Sequence, residues 1–122
     1  MRAELRYLHS PDADPLKDFR PKGPFGILVT AIIGPHADKG QEAFNFMLCT
    51  PEWFVSDRLP MTNSIAVGRH VVFLREFDYP ALEAFVRDYC VSCEGDTWHE
   101  VASKVARFGH WEFEDYRPFK PT

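Results

Sequence analysis

The longest apolar run in the chain covers residues 25–33 and is followed directly by Gly34 and Pro35. The run is rich in aliphatic and β-branched side chains, and it is much shorter than the roughly 20 residues of a membrane-spanning helix. We therefore expect a central strand that is buried on both faces. After a short turn, residues 42–49 place apolar side chains at every second position, which predicts a second strand and hence a hairpin.

The remaining segments predict an alternation of strands and helices. In residues 2–9, the alternation places Ala3, Leu5 and Tyr7 on one face of a strand. Proline-rich residues 10–24 predict a surface loop. Further along, the sequence predicts a helix begun by Thr50 and Pro51, a strand around 71–74, a helix opened by Asp78, a helix capped by Thr97 and extending to Phe108, and a strand over 110–116.

This order of elements, β-β-β-α-β-α-α-β, is typical of an α+β fold. We expect a single domain over residues 1–122, with an antiparallel-rich sheet of about five strands and two to three helices packed on one face. The N-terminus lacks the apolar stretch of a signal peptide, and three cysteines favour reduced thiols over a disulfide framework. These features predict a cytoplasmic protein without a membrane segment.

Charge is unevenly distributed along the chain. Residues 76–116 contain ten acidic and three basic side chains, although the whole chain has a formal net charge of only -4. The rest of the chain is therefore slightly basic. Such an uneven distribution of charge is informative about the binding partners of a protein and not about its fold. It favours a basic protein as the partner over direct contact with a nucleic acid.

The pair Cys90 and Cys93 has the C-x-x-C spacing of many zinc and redox sites. A structural zinc site needs two more ligands, and neither His99 nor His110 has the usual histidine spacing. A redox pair is expected at the start of a helix, whereas this pair lies at a predicted helix end. We therefore expect packing cysteines, no metal site and no cofactor.

Two carboxylates offer the best case for catalysis. On a strand over 110–116, Glu112 and Glu114 would lie on one face, roughly 6–7 Å apart, which is a spacing that glycosidase acid and base residues use. A solvated, alternating strand produces the same pattern. No phosphate-binding loop and no nucleophile elbow is found in the sequence. A small cytosolic enzyme using this pair is thus an alternative hypothesis, beside an adaptor subunit of a larger assembly.

The aromatic and acidic side chains of the last segment predict different roles. The aromatic side chains fall on apolar periodic faces, so we expect them in the core rather than in a ligand platform. The acidic ones fall on polar faces or in loops, where they can be merely solvated or can recognise a basic partner. The predicted core residues are Trp98, Phe108, Trp111 and Phe113, and the predicted partner-binding residues are Glu94, Asp96, Glu112, Glu114 and Asp115.

The C-terminal pattern C-x-x-C-E-G-D-T-W-x-E-V-A-x-K, followed by G-H-W-E-F-E-D-Y, resembles the immunity protein 8 family of bacterial polymorphic toxin systems. It stands here as residues 90–104 and 109–116. Shorter fragments over most of the chain agree, among them Gly68-Arg69-His70 and Cys49-Thr50-Pro51. The resemblance is therefore most specific in the third predicted helix and the following strand.

The resemblance implies a cytoplasmic antitoxin that binds the catalytic domain of a cognate secreted or contact-delivered toxin. Toxins of polymorphic and contact-dependent inhibition systems are often nucleases, whose active surfaces are basic because they grip phosphates. An acidic inhibitor surface would match that charge and steer association. The resemblance supplies no binding residues, so the acidic candidates depend on the charge pattern alone.

Overall fold

The hairpin of β2 (Gly26–Pro35) and β3 (Glu42–Cys49) lies inside a five-stranded sheet in the computed structural model, which describes residues 1–115. The two strands pair antiparallel from Gly26 opposite Cys49 to Ile33 opposite Glu42, which confirms the predicted hairpin. β1 (Ala3–His9) pairs antiparallel with the other edge of β2.

The outer edge of β3 is shared by two short strands. β4 (Val71–Phe73) pairs in parallel with the end of β3, and β5 (His110–Trp111) pairs antiparallel nearer its start. Because both short strands lie along one edge, the residue before β4 comes close to the start of β5. The sheet is thus antiparallel except for the β3–β4 pair, and the predicted α+β fold is confirmed.

Three helices complete the fold: α1 (Pro51–Arg58), α2 (Tyr79–Ser92) and α3 (Trp98–Val105). Each begins at a side chain that accepts a hydrogen bond from a backbone N–H of the first turn, namely Thr50, Asp78 and Thr97. These are the starts that the sequence predicted. No helix within residues 1–115 combines the length and the apolar character needed to cross a membrane.

The core lies between one face of the sheet and helices α2 and α3. Alternate residues of the hairpin point into it, and the helices contribute their apolar stripes. The largest fully buried side chains are Val29, Ile33, Phe44, Phe46, Leu48, Val86, Val101 and Val105.

The other face of the sheet is only partly covered, so the prediction that residues 25–33 are buried on both faces was wrong. Leu28 is 37% exposed and Ile32 is half-buried. At one end, Trp53 of α1 packs over Gly26, which lies on the same side of β2 as Leu28. Because α2 and α3 occupy the opposite face, the remainder of this face is largely open, although Thr30, between Leu28 and Ile32, is buried.

A β-bulge in β1 makes the prediction for one of its faces wrong. The pairing with β2 shifts between Leu5 and Tyr7, so the alternation changes phase at that point. Leu8 therefore enters the core, and Tyr7 is 50% exposed instead of sharing the face of Ala3 and Leu5. A sequence period alone cannot reveal such a shift, because the extra residue is accommodated by the pairing with β2.

The C-terminal elements are shorter than predicted. α3 ends at Val105, although Phe108 is still buried. The final strand ends at Trp111, where the Glu114 N–H donates to the Trp111 carbonyl at 2.9 Å and forms a turn. Asp115 has a positive φ of 58°, which a strand does not allow. The predicted strand over 110–116 was therefore wrong beyond Trp111, and Tyr116 lies outside the described residues.

Replacing Gly26 by Ala should destabilise the protein, because the added Cβ would lie 2.3 Å from ring atoms of Trp53. We expect a loss of about 1–3 kcal/mol in the free energy of unfolding, as for other overpacked sites. Denaturant titration of Gly26→Ala measures it.

The matched control is Gly68→Ala, where the nearest atom is Phe54 Cζ at 3.9 Å and stability should hardly change. In a Trp53→Ala background, the penalty of Gly26→Ala should disappear. A penalty that persists there would contradict the packing of Trp53 on β2.

Candidate functional site

The start of α3 is fixed by reciprocal hydrogen bonds. The Thr97 hydroxyl accepts from the Glu100 N–H at 3.2 Å, and the Glu100 carboxylate accepts from the Asp96 N–H at 2.9 Å. This is the capping box that the sequence predicted. In its usual form the carboxylate accepts from the N–H of the N-cap residue, here Thr97, whereas in this helix it accepts from the preceding residue. It holds Trp98 and His99 in a defined position at the first turn of the helix.

Trp111 connects α3 to the sheet. Its side chain is buried, its indole N–H donates to the Glu42 carboxylate, and its ring stacks on Phe44 at a centroid distance of 6.2 Å. The rings of His99 and Phe113 approach it at 5.3 and 5.7 Å. Trp111 thus anchors both the helix and the turn after β5.

The other predicted core residues differ in burial. Phe108 is buried and contacts the rings of Phe46 and Tyr89 edge-on, at 5.5 and 4.8 Å. Trp98 and Phe113 are only partly buried and pack against the core from outside. These two aromatic side chains therefore reach the surface as well as the core.

Two shallow grooves of about 280 and 250 Å³ lie around these aromatic residues. They share His99, Trp111 and Phe113, so they form one continuous surface. We call Trp98, His99 and the turn 112–115 the α3 surface.

The structure brings three of the predicted acids together on the α3 surface. Glu112 and Asp115 are exposed. Glu114 is different: its side chain is 18% exposed, its carboxylate forms an ion pair with Arg69, and His110 Nδ1 lies 3.6 Å from its second oxygen. Within residues 1–115, no basic side chain pairs with Glu112 or Asp115, so these two carry the negative charge of this turn.

Glu94 and Asp96 lie in a different groove, lined also by Met1, Arg2 and His36. There the chain crosses the N-terminal residues: the Gly95 N–H donates to the Met1 carbonyl at 3.0 Å, and the backbones of Glu94 and Arg2 form an isolated antiparallel bridge. The five predicted acids thus form two separate groups. Basic residues remote in the sequence, such as Arg2 and Arg69, reduce the charge segregation seen along the chain.

The structure gives no support for an acid/base pair of Glu112 and Glu114. Their common face depended on a strand that ends at Trp111. The Glu114 carboxylate is held by Arg69, whereas Glu112 faces solvent.

All three cysteines are buried, free thiols. Burial raises the pKa of Cys90 to about 12, and the neighbouring Cys93 adds to that shift. Burial likewise raises the pKa values of Cys93 and Cys49. Since the thiolate is the reactive form, the pair at the end of α2 is in a poor position for redox or nucleophilic chemistry.

One cluster could not be predicted from sequence spacing. His70, just before β4, lies beside His110 of β5, with the rings 5.7 Å apart. Its Nε2 is 2.8 Å from the Ala106 carbonyl oxygen, and burial of the ring lowers its pKa, which favours the neutral imidazole. The two histidines are 40 positions apart in the chain, and only the pairing of β4 and β5 with one edge of β3 brings them together.

The family model described as immunity protein 8 matches residues 3–116 of the chain. The chain belongs to the immunity protein 8 family. The match confirms the resemblance and includes every helix and strand that the structure describes in this immunity protein. No curated protein and no solved structure matches it significantly. Membership implies an immunity protein whose partner is a toxin, and favours a binding protein over an enzyme.

The buried thiols lead to a testable expectation. The raised pKa values keep all three protonated near neutral pH, so brief iodoacetamide treatment of the native protein should modify none of them. After unfolding in urea, mass spectrometry should show three modified cysteines.

The variant Val91→Cys provides the positive control, because Val91 is exposed and directly follows Cys90. Its added thiol should react rapidly in the native state. Modification of native Cys90 or Cys93 at a comparable rate would contradict the burial of the pair.

Proposed function

We propose that this immunity protein neutralises the catalytic domain of a cognate toxin by binding it through the α3 surface. The observation that carries the proposal is the combination, on one surface, of two partly buried aromatic side chains and two solvated carboxylates. Interfaces that bind tightly commonly have aromatic anchors surrounded by polar residues.

Trp98 and Phe113 are the proposed anchors. Each packs against the core, and both line the smaller of the two shallow grooves, whereas Phe113 lines the larger one as well. Packing on Trp111 and the capping box of α3 restrict their motion before binding. Little conformational entropy is then lost when a partner covers them, which favours affinity.

Glu112 and Asp115 are the proposed rim charges. Both are exposed on the turn after β5, where they attract a basic partner from a distance and act chiefly on the association rate. Glu114 contributes less charge because Arg69 neutralises it. In this proposal, Glu94 and Asp96 form a second acidic contact beyond the start of α3.

The charge of this surface fits a toxin with a basic active surface, and nucleases have such surfaces because they bind phosphates. An acidic inhibitor is attracted to the same basic surface that binds the phosphates, and it does not contact nucleic acid itself. We therefore propose a nuclease as the toxin, delivered by a polymorphic or contact-dependent inhibition system, and inhibition in the bacterial cytoplasm.

The experiment compares binding to the catalytic domain of the toxin encoded beside this chain's gene. In the double variant Glu112→Gln, Asp115→Asn, affinity should fall by about tenfold, mainly through a slower association rate. Its dependence on salt should also be weaker than that of the parent. Asn is chosen at position 115 because it tolerates the positive φ found there. Stopped-flow or surface-based kinetics at two ionic strengths measure both effects.

The matched control is the double variant Glu76→Gln, Asp88→Asn, which changes the net charge equally at two exposed acids away from the α3 surface. It should bind nearly as well as the parent. Equal association rates for the two double variants would show that only net charge matters, and would contradict binding through the α3 surface.

A further inference from the structure

The cluster around His70 has a feature that toxin binding does not explain. His70, His110 and Glu114 each offer a ligand atom, and these atoms all lie within 4.8 Å of one another. They come from two segments that meet at the edge of β3, where His70 precedes β4 and His110 begins β5. Imidazole nitrogen and carboxylate oxygen are a common ligand set for zinc in proteins.

A hydrogen bond of His70 determines which of its ring nitrogens can bind a metal. The Ala106 carbonyl can only accept a hydrogen bond, so His70 Nε2 carries the proton and donates at 2.8 Å. Its Nδ1 is then left with a free lone pair. Metal-binding histidines commonly donate their second ring N–H to a carbonyl or carboxylate in this way. The backbone is fixed too, because the Met47 N–H donates to the His70 carbonyl at 2.9 Å.

The other two groups can adjust around this fixed nitrogen. The His110 side chain is 58% exposed, and Glu114 lies on a surface turn. Ligand atoms of a tetrahedral zinc are about 3.3 Å apart, given metal–nitrogen distances near 2.0–2.1 Å. The ligand atoms of the cluster are at most 4.8 Å apart, so closing to that spacing requires each separation to shrink by no more than about 1.5 Å.

Arg69 is the competing cation. Its guanidinium forms an ion pair with Glu114, but its side chain is 59% exposed and can move into solvent. A divalent ion held also by two imidazoles would replace this single exposed ion pair.

We propose that His70, His110 and Glu114 form a binding site for a zinc-type divalent cation, with water at the fourth position. The absence of a metal site was predicted from the cysteine pair, which is not part of this cluster, and that prediction did not take His70 into account. A bound ion would tie the turn 112–115 to the residue before β4, and so fix the position of Glu112 and Asp115. The site does not depend on the proposed toxin contact.

The test is a titration of the full chain with Zn²⁺ near neutral pH, in competition with a chromophoric chelator. We expect one equivalent of Zn²⁺ per chain. His110→Gln and Glu114→Gln should each weaken binding by at least about tenfold. His110 is exposed, so its replacement should leave folding intact, which circular dichroism can verify. Arg69→Ala should strengthen binding by up to about fivefold, since it removes the competing ion pair.

The control variant is His9→Gln, which removes an exposed histidine from the open face of the sheet and should bind Zn²⁺ as the parent does. The proposal is wrong if the stoichiometry is well below one. It is also wrong if His9→Gln and His110→Gln weaken binding equally, since that would indicate unspecific binding by surface histidines. Weaker binding by Arg69→Ala would contradict the competition between Arg69 and the metal.

Discussion

The pairing of β3 on both of its edges is the constraint on which the rest of this structure depends. Its apolar face, with Phe44, Phe46 and Leu48, is fully buried and forms the centre of the core. One edge holds β2, and the other holds β4 and β5 end to end. The loop before β4 and the turn after β5 therefore meet, although the sequence separates them by the two helices of the core.

The position of the α3 surface follows from the packing of Trp111 at the edge of the core. Trp111 fills the space between Phe44 and the start of α3, and its indole N–H is satisfied by Glu42. The neighbouring aromatic side chains of Trp98 and Phe113 are only partly buried and pack at the edge of the core. Trp98 and Phe113 are therefore partly exposed while the core stays covered, which is the arrangement that the proposed binding through the α3 surface requires.

Folding brings basic residues from other parts of the chain close to some of the acids of residues 76–116. The segregation of acids into residues 76–116 is a property of the chain, but Coulomb interactions depend on distance in space. Arg69 lies outside that window and neutralises Glu114, and Arg2 lies beside Glu94. Among residues 1–115, no ion pair involves Glu112 or Asp115, so the charge left on the α3 surface by the described part of the chain is this pair, which is smaller and better localised than the sequence suggested.

The sequence by itself determined the order of the elements, the hairpin and the helix starts, because alternation, apolar periodicity and capping are local properties of neighbouring residues. It also carried the family pattern that the match over residues 3–116 confirmed. Only the tertiary structure decided the bulge that exposes Tyr7, the open face of the sheet and the end of β5 at Trp111. It alone placed His70 beside His110. The bulge and the histidine pair arise from pairings between strands, and the open face arises from the side on which α2 and α3 pack, so no local pattern records which distant residues will meet.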